Sequence, residues 1–241
     1  MNDKKSNYNQ RLFKSRIRKW LHLSRFNFVK KILSKKGVNS LRIVELGCFD
    51  GKVLDFIPKS KIFNYIGYDA DWEGGLSSAK NKSLGENIEF RFCKTASDFC
   101  PPEGFNCFLS LETMEHIEEN LLNEYLQKVE KLIDKDGIII ITVPNEIGII
   151  FLLKYLYKSL FHGKGYEYSF SEIIWQTLGF TEKVKRNQHK GFSYIKLKKL
   201  LEKYFNVQSV KGTPLLYFPN LLNFSIAFIC RPKLNSSLID N

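Results

Sequence analysis

Short apolar runs alternate with amphipathic stretches through the first two thirds of the chain. Leu41–Leu46 (LRIVEL), Phe63–Asp69 (FNYIGYD), Ile88–Cys93, Phe105–Ser110 (FNCFLS) and Gly137–Val143 (GIIIITV) have the length and bulk of strands. The last is apolar throughout, as a strand covered on both faces must be, which predicts a central position. Between them, Val53–Ile57 reads as a short helix ended by Pro58. Ser77–Ser83 reads as a second helix. Asn120–Ile133 is amphipathic, with Leu121, Leu122, Tyr125, Leu126, Val129, Leu132 and Ile133 on one face. Strand and helix in alternation predict an α/β, doubly wound, mostly parallel sheet. Val207–Gly212 and Phe224–Cys230 bring the strands to seven. Their join, TPLLYFPNLLN, is not helical, so the last strand is expected to run antiparallel.

The flanks read differently. Residues 9–34 are predicted to form a basic helix, with Phe13, Ile17, Trp20, Leu21, Phe28, Val29, Ile32 and Leu33 near helical spacing. Such a helix either docks on the domain with a solvated basic face or lies on a membrane or RNA. After Pro144 the alternation breaks. IGIIFLLKYLYKSLF is an apolar helix carrying Lys154 and Lys158, a further helix is expected near Ser171–Gly179, and Tyr194–Phe205 is again helical. The expected organisation is a basic helical segment at 1–40, a core domain at 41–232 with a helical lid insertion at about 145–190, and a flexible tail at 233–241.

Charge sharpens this division. The chain of 241 residues carries a net +12. Residues 1–40 hold twelve Lys/Arg and one acid, residues 41–153 eleven and nineteen, and residues 154–241 fourteen and five, giving +11, −8 and +9. An acidic block between basic flanks suits an anionic partner, phospholipid or nucleic acid. The five Cys contain no CxxC pair, which disfavours a disulfide framework or zinc ribbon. The start is polar, and no stretch reaches the roughly 20 apolar residues of a membrane span. A cytoplasmic protein is expected, with peripheral contact at the inner face of a membrane left open.

The sharpest motif is Glu45-Leu-Gly47-Cys-Phe-Asp-Gly51, between a buried strand and the next turn. Glycine there permits a left-handed backbone and close approach of a ligand. The dinucleotide pattern GxGxxG fails, because Phe49 and Lys52 stand where its later glycines belong, and no GxxxxGK[ST] is present. An acid beside the turn favours a ligand with an ammonium or sulfonium group. Asp69 ends the second strand, 24 residues on, where a carboxylate accepts hydrogen bonds from ribose hydroxyls.

RIVELGCFDG, YIGYDAD, FNCFLSLETMEHI and HKGFSYIKLKKLLEKYFNV together resemble the motifs of the class I S-adenosylmethionine-dependent methyltransferases. Within that class they are similar to the small-molecule and lipid branch of ubiquinone-biosynthesis O-methyltransferases. The resemblance implies a Rossmann-like methyltransferase fold with S-adenosylmethionine as cofactor. It puts Glu45, Gly47, Cys48 and Gly51 around the methionine, Asp69 on the ribose and Ala70 near the adenine. Thr95 and Ala96 would lie at the adenine edge, and Ser110, Leu111 and Glu112 beside the methionine and the transferred methyl. Phe49, Thr95 and Asn106 depart from the pattern, standing for a common glycine and two common acids.

Methyl transfer from a sulfonium mainly needs alignment and desolvation, and an oxygen nucleophile usually also needs a base. His116, after the fourth strand, and His189, before Phe192, are the candidates. His22 and His162 read as surface or packing residues. Spacing suggests no metal constellation. The aromatic, lysine-bearing 145–190 region and the apolar late loop favour a small amphiphilic, lipid-linked or glycan acceptor. The alternatives are an RNA methyltransferase using the basic arm, less favoured because VPNE follows the fifth strand in place of an NPPY-type motif, and a non-catalytic binding module.

Overall fold

The computed structural model describes residues 16–35, 40–82, 84–162, 168–187 and 189–233. In chain order it comprises α1 (Arg16–Lys35), β1 (Leu41–Leu46), β2 (Ile62–Asp69), α2 (Gly75–Lys80), β3 (Ile88–Phe92), β4 (Phe105–Leu111), α3 (Glu119–Leu132) and β5 (Ile133–Pro144). There follow α4 (Gly148–His162), α5 (Phe170–Leu178), α6 (Tyr194–Tyr204), β6 (Phe205–Thr213) and β7 (Ser225–Pro232). The strands form one sheet in the order β3-β2-β1-β4-β5-β7-β6. Neighbours pair in parallel except β5 with β7 and β7 with β6. This is the expected doubly wound α/β sheet with its antiparallel strand. The order reverses between β1 and β4, so a crevice opens there at the carboxyl ends of the strands.

The apolar strands alternate their side chains between two cores. Phe108, Ile139 and Ile141 pack with Leu122, Leu126 and Val129 of α3 and Leu197 and Leu201 of α6. Cys107, Leu109, Ile138 and Ile140 pack on the other face with α1 and α2. Because both faces are covered, β4 and β5 show no hydrophobic–polar alternation.

α1 is docked on the domain through Phe26, Phe28, Val29 and Leu33, while Trp20, expected on the apolar face, is exposed. Phe26 completes the buried stripe instead. Residues 9–15 of the expected helix, and the tail after Lys233, lie outside the described residues. Two other expectations need correction. The helix expected at Val53–Ile57 is a single 3-10 turn, Lys52–Asp55, because Pro58 leaves no room for a second turn. Ile133 opens β5 rather than closing α3, pairing with Phe105.

α5 has both ends specified in its sequence. Ser169 and Glu172 form a reciprocal cap: the Glu172 amide donates to Ser169 Oγ at 3.3 Å and the Ser169 amide to Glu172 Oε2 at 2.8 Å. Gly179 ends it at φ +84°. Its fully buried Gln176 donates from Nε2 to the carbonyls of Glu146 and Phe192 and accepts the Gly191 amide. Gln176 thus ties the insertion to the segment carrying His189.

Candidate active site

The crevice beside β1 holds a cavity of about 560 Å³, within the range of small-molecule sites, roughly 300–1,000 Å³. A larger open hollow of about 1,050 Å³ lies at the opposite end of the sheet, near Asn106, Asp134 and Arg231. The Arg231 guanidinium there is spent on the carbonyls of Asp136 and Gly137. Asn106 accepts the Arg42 amide and donates to the Ser40 carbonyl, stitching strand ends together. That end of a parallel sheet is not where ligands bind.

Gly47 leaves β1 at φ +79°, and its amide and that of Cys48 both donate to the Tyr68 carbonyl, at 2.7 and 3.1 Å. A β-carbon on Gly47 would fall 2.0 Å from Thr113 Oγ1. The glycine is therefore required by the loop after β4 before any ligand enters. Phe49 takes a left-handed backbone, φ +47°, the conformation that a glycine adopts without strain. Its ring leans over the start of α2, where a β-carbon on Gly75 would meet Phe49 Cδ2 at 2.2 Å. It lines the cavity without closing it.

Asp69 faces this turn. Its Oδ2 accepts the Phe49 amide at 2.9 Å and its Oδ1 the Asp71 amide at 2.8 Å. The Trp72 amide also bonds this carboxylate, so of its roughly four acceptor positions about one is left for a ligand hydroxyl. Desolvation raises the Asp69 pKa against these hydrogen bonds. Glu45, at the end of β1, is buried and accepts the Tyr65 hydroxyl at 2.5 Å. Burial pushes its pKa up to about 8, against the opposing hydrogen bond from Tyr65. Burial likewise raises the Cys48 thiol well above its usual value, so it is a packing group and not a nucleophile.

Of the residues expected at the cofactor, Glu45, Gly47, Cys48, Asp69, Ala70, Leu111 and Glu112 line the cavity. Gly51, Thr95, Ala96 and Ser110 do not. Gly51 packs beneath Phe90. Thr95 opens a 3-10 turn in which its amide and hydroxyl both bind Asp98 Oδ2 at 2.8 Å, and Ala96 follows in that turn. Cys93 and Lys94, just before that turn, line the cavity, as does Tyr125 of α3. Ser110 is fully buried within β4. Arg25 of α1 also lines the cavity, and its buried Nε has no hydrogen-bond partner among the described residues. In the sequence the basic residues of α1 read as a solvated or anion-binding face, not as part of a cavity. The one available signal was a cation directly before the buried Phe26.

His116 and His189 both line the cavity, their rings in edge contact with centroids 4.6 Å apart. Loss of hydration lowers the pKa of both. For His189, with the added influence of His116, Lys154, Lys158 and Arg186, the value falls to about 3. Both rings are therefore neutral at pH 7. Glu115 is buried behind them, with Oε1 3.6 Å from His116 Nε2. Spacing suggests no metal constellation, yet the fold gathers three candidate donors, one of them far from the other two in the sequence. Glu115, His116 and His189 bring one ligand atom each within 4.8 Å of one another. Both Glu115 carboxylate oxygens and the Nδ1 atoms of both histidines are buried without a hydrogen-bond partner among the described residues. Glu112 lies close by at a left-handed φ of +56°; the burial of Glu115, and after it the Glu112 charge, raise the Glu115 pKa well above its usual value.

A mixed sheet of this order, with an acid-glycine turn after β1 and an acid ending β2 at one cavity, defines a Rossmann-like methyltransferase. Residues 14–175 match the family model described as a methyltransferase domain, and the chain belongs to that family. S-adenosylmethionine is the cofactor that goes with this assignment. No curated protein matches the sequence. Solved structures similar in fold include an S-adenosylmethionine-dependent methyltransferase from Clostridium acetobutylicum ATCC 824 (14% identity, TM-score 0.60, covering 89% of this chain and 92% of that one). The methyltransferase domain of bacterial CtHen1-CN shares 19% identity at a TM-score of 0.57, covering 88% and 99%. Magnesium protoporphyrin IX methyltransferase from Synechocystis PCC 6803, with bound SAH, shares 12% at 0.53, covering 91% and 88%.

Proposed function

We propose that this chain transfers the methyl group of S-adenosylmethionine to a hydroxyl oxygen of a small amphiphilic, lipid-linked or glycan acceptor. The carrying observation is that His116 and His189 line the same cavity as Asp69 and Glu45. In this reading Asp69 holds the ribose, Arg25 meets the methionine carboxylate, and Glu45 faces the cationic end of the cofactor. Cys93, Lys94 and Tyr125 surround the adenine. The carbon–sulfur bond breaks with its electron pair going to sulfur, leaving a neutral thioether, while the acceptor oxygen bonds the methyl carbon and loses its proton. The enzyme's contribution is alignment and exclusion of water.

Glu115, His116 and His189 are well suited to hold a divalent cation, since two neutral imidazoles and a carboxylate form a common donor set. Such an ion, when bound, supplies Lewis acidity that lowers the pKa of a hydroxyl beside it. The chain's own residues then fix where that hydroxyl stands: the buried Glu115 sets the floor, and Gln176 holds the His189 segment in place. A second reading uses no ion. A neutral His116, kept so by its lowered pKa, takes the acceptor proton directly.

The test is calorimetric titration with S-adenosylmethionine and S-adenosylhomocysteine, followed by transfer of labelled methyl into lipid, glycan and RNA fractions of host cells. Label in the lipid or glycan fraction supports the proposal. Label in RNA alone moves the acceptor to nucleic acid, and absence of binding to either nucleoside leaves only a binding module.

A further inference from the structure

α4 is apolar on two sides. Ile150 and Phe151 are buried against the domain, while Ile149, Leu153, Leu156 and Leu160 are exposed at spacings of four, three and four residues. That is a continuous helical stripe facing water. α5, which packs on α4, repeats the arrangement: Phe170, Ile174 and Leu178, each four residues apart, are exposed, Phe170 by 80%. The segment between β6 and β7 adds a third piece. Residues 214–224 carry no charge, and Tyr217 is 93% exposed.

This third piece is built, not loose. Asn223 accepts the Leu215 amide at 2.8 Å and donates to the Leu215 and Pro219 carbonyls. Asn145 donates to the Asn223 carbonyl at 3.0 Å. The turn touches the start of α4, where a β-carbon on Gly148 would meet Leu221 Cδ1 at 2.4 Å. Buried amides therefore brace this apolar turn beside the start of α4. A soluble monomer rarely exposes apolar surface so concentrated.

The charges bordering these elements are mostly basic, and the acids Glu146 and Glu172 are each paired with a lysine, Lys154 and Lys190. α1 carries seven Lys/Arg and no acid, and Lys31 Nζ lies 6.0 Å from the Tyr217 ring. α4 carries no acid; of its two lysines, Lys154 is held by Glu146 and the Asn145 carbonyl, and Lys158 lies on the exposed side. Apolar side chains bordered by cations complement an anionic phospholipid surface, with acyl chains for the former and phosphates for the latter. Among the described residues no helix is long and apolar enough to cross a membrane, so the contact would be interfacial.

We propose that α4, α5 and the 214–224 turn form a docking face for an anionic phospholipid bilayer. The face adjoins the site: Glu146, two residues before α4, has Oε1 3.8 Å from His189 Nδ1 and 3.1 Å from Lys154 Nζ. A docked enzyme would thus present its histidines near the membrane surface. The inference rests on the surface alone and does not require methyl transfer.

The test is flotation of the full chain with phosphatidylcholine vesicles and with vesicles of phosphatidylcholine and phosphatidylglycerol. The protein is expected to float with the anionic vesicles, and added salt should weaken this without abolishing it. A Leu153→Asp, Leu160→Asp, Phe170→Asp variant, changed only at exposed positions, should lose flotation while keeping wild-type circular dichroism and S-adenosylmethionine affinity. Wild-type protein that stays at the bottom with both vesicles overturns the proposal. So does a triple variant that floats as well as wild type. Sedimentation showing a dimer that the triple variant abolishes, without flotation, assigns the face to a second copy of the chain instead. Failure of flotation with intact cofactor binding would leave the methyltransferase reading standing.

Discussion

The Phe49 amide donates to Oδ2 of Asp69 across 2.9 Å, so the carboxylate ending β2 also fastens the turn that leaves β1. Ligand binding and local stability are coupled through this one group. Asp69→Ala should abolish S-adenosylmethionine binding and also cost about 1–3 kcal/mol of stability, because the Phe49 and Asp71 amides lose their acceptor. Calorimetry and urea unfolding measure the two losses. Unchanged affinity would remove Asp69 from the ribose.

Gly47 and Thr113 are a second coupled pair. Gly47→Ala places a β-carbon 2.0 Å from Thr113 Oγ1 and must also keep φ at +79°. Overpacking of this kind costs roughly 1–3 kcal/mol, and left-handed backbone at a residue with a β-carbon adds roughly 1 kcal/mol. Thr113→Gly in the same chain should restore part of the loss. A Gly47→Ala protein as stable as wild type would show that the loop after β4 yields freely.

Glu45 sets a pH dependence. Its pKa is raised by burial to about 8, whereas an unfolded glutamate titrates near about 4.3. The stability associated with its protonated form is complete below the unfolded value and is lost as pH rises through about 8. A cationic ligand in the cavity favours the carboxylate. Binding of S-adenosylmethionine at neutral pH should therefore release protons, and affinity should rise as pH approaches about 8. Calorimetry in buffers of different ionisation heat reads the released protons directly. Glu45→Gln should abolish that release, and a variant that still shows it would place the titrating group elsewhere.

The Glu115–His116–His189 cluster predicts a separable metal requirement. Exhaustive chelation should stop methyl transfer, leave S-adenosylmethionine affinity unchanged, and be reversed by a divalent transition metal. His189→Gln should reduce metal content measured by elemental analysis. Activity that survives chelation would favour His116 as the base, and its rate would then fall with acidification as the imidazole takes a proton.

Much of this was legible in the order of residues. Strand positions follow from apolar runs, because backbone pairing and two-sided burial act on contiguous stretches. The turn at Gly47 and the acid at Asp69 are legible because positive φ and a strand-end carboxylate are local demands. Lys94 rather than Thr95 lines the cavity because which of two adjacent residues faces it depends on which side chain the following cap takes, and here Asp98 takes Thr95.

The cluster around His189 is of another kind. His189 lies 73 residues after His116, and no periodicity links them. Gln176 and Arg186 bring them together, the latter by donating to the Glu115 carbonyl. Arg25 reaches the cavity only because Phe26, Val29 and Leu33 dock α1 beside β1. A sequence determines which face of its own element a side chain takes, since that depends on neighbours a few residues away. Which distant element that face then meets is decided by burial and hydrogen bonding summed over the whole fold.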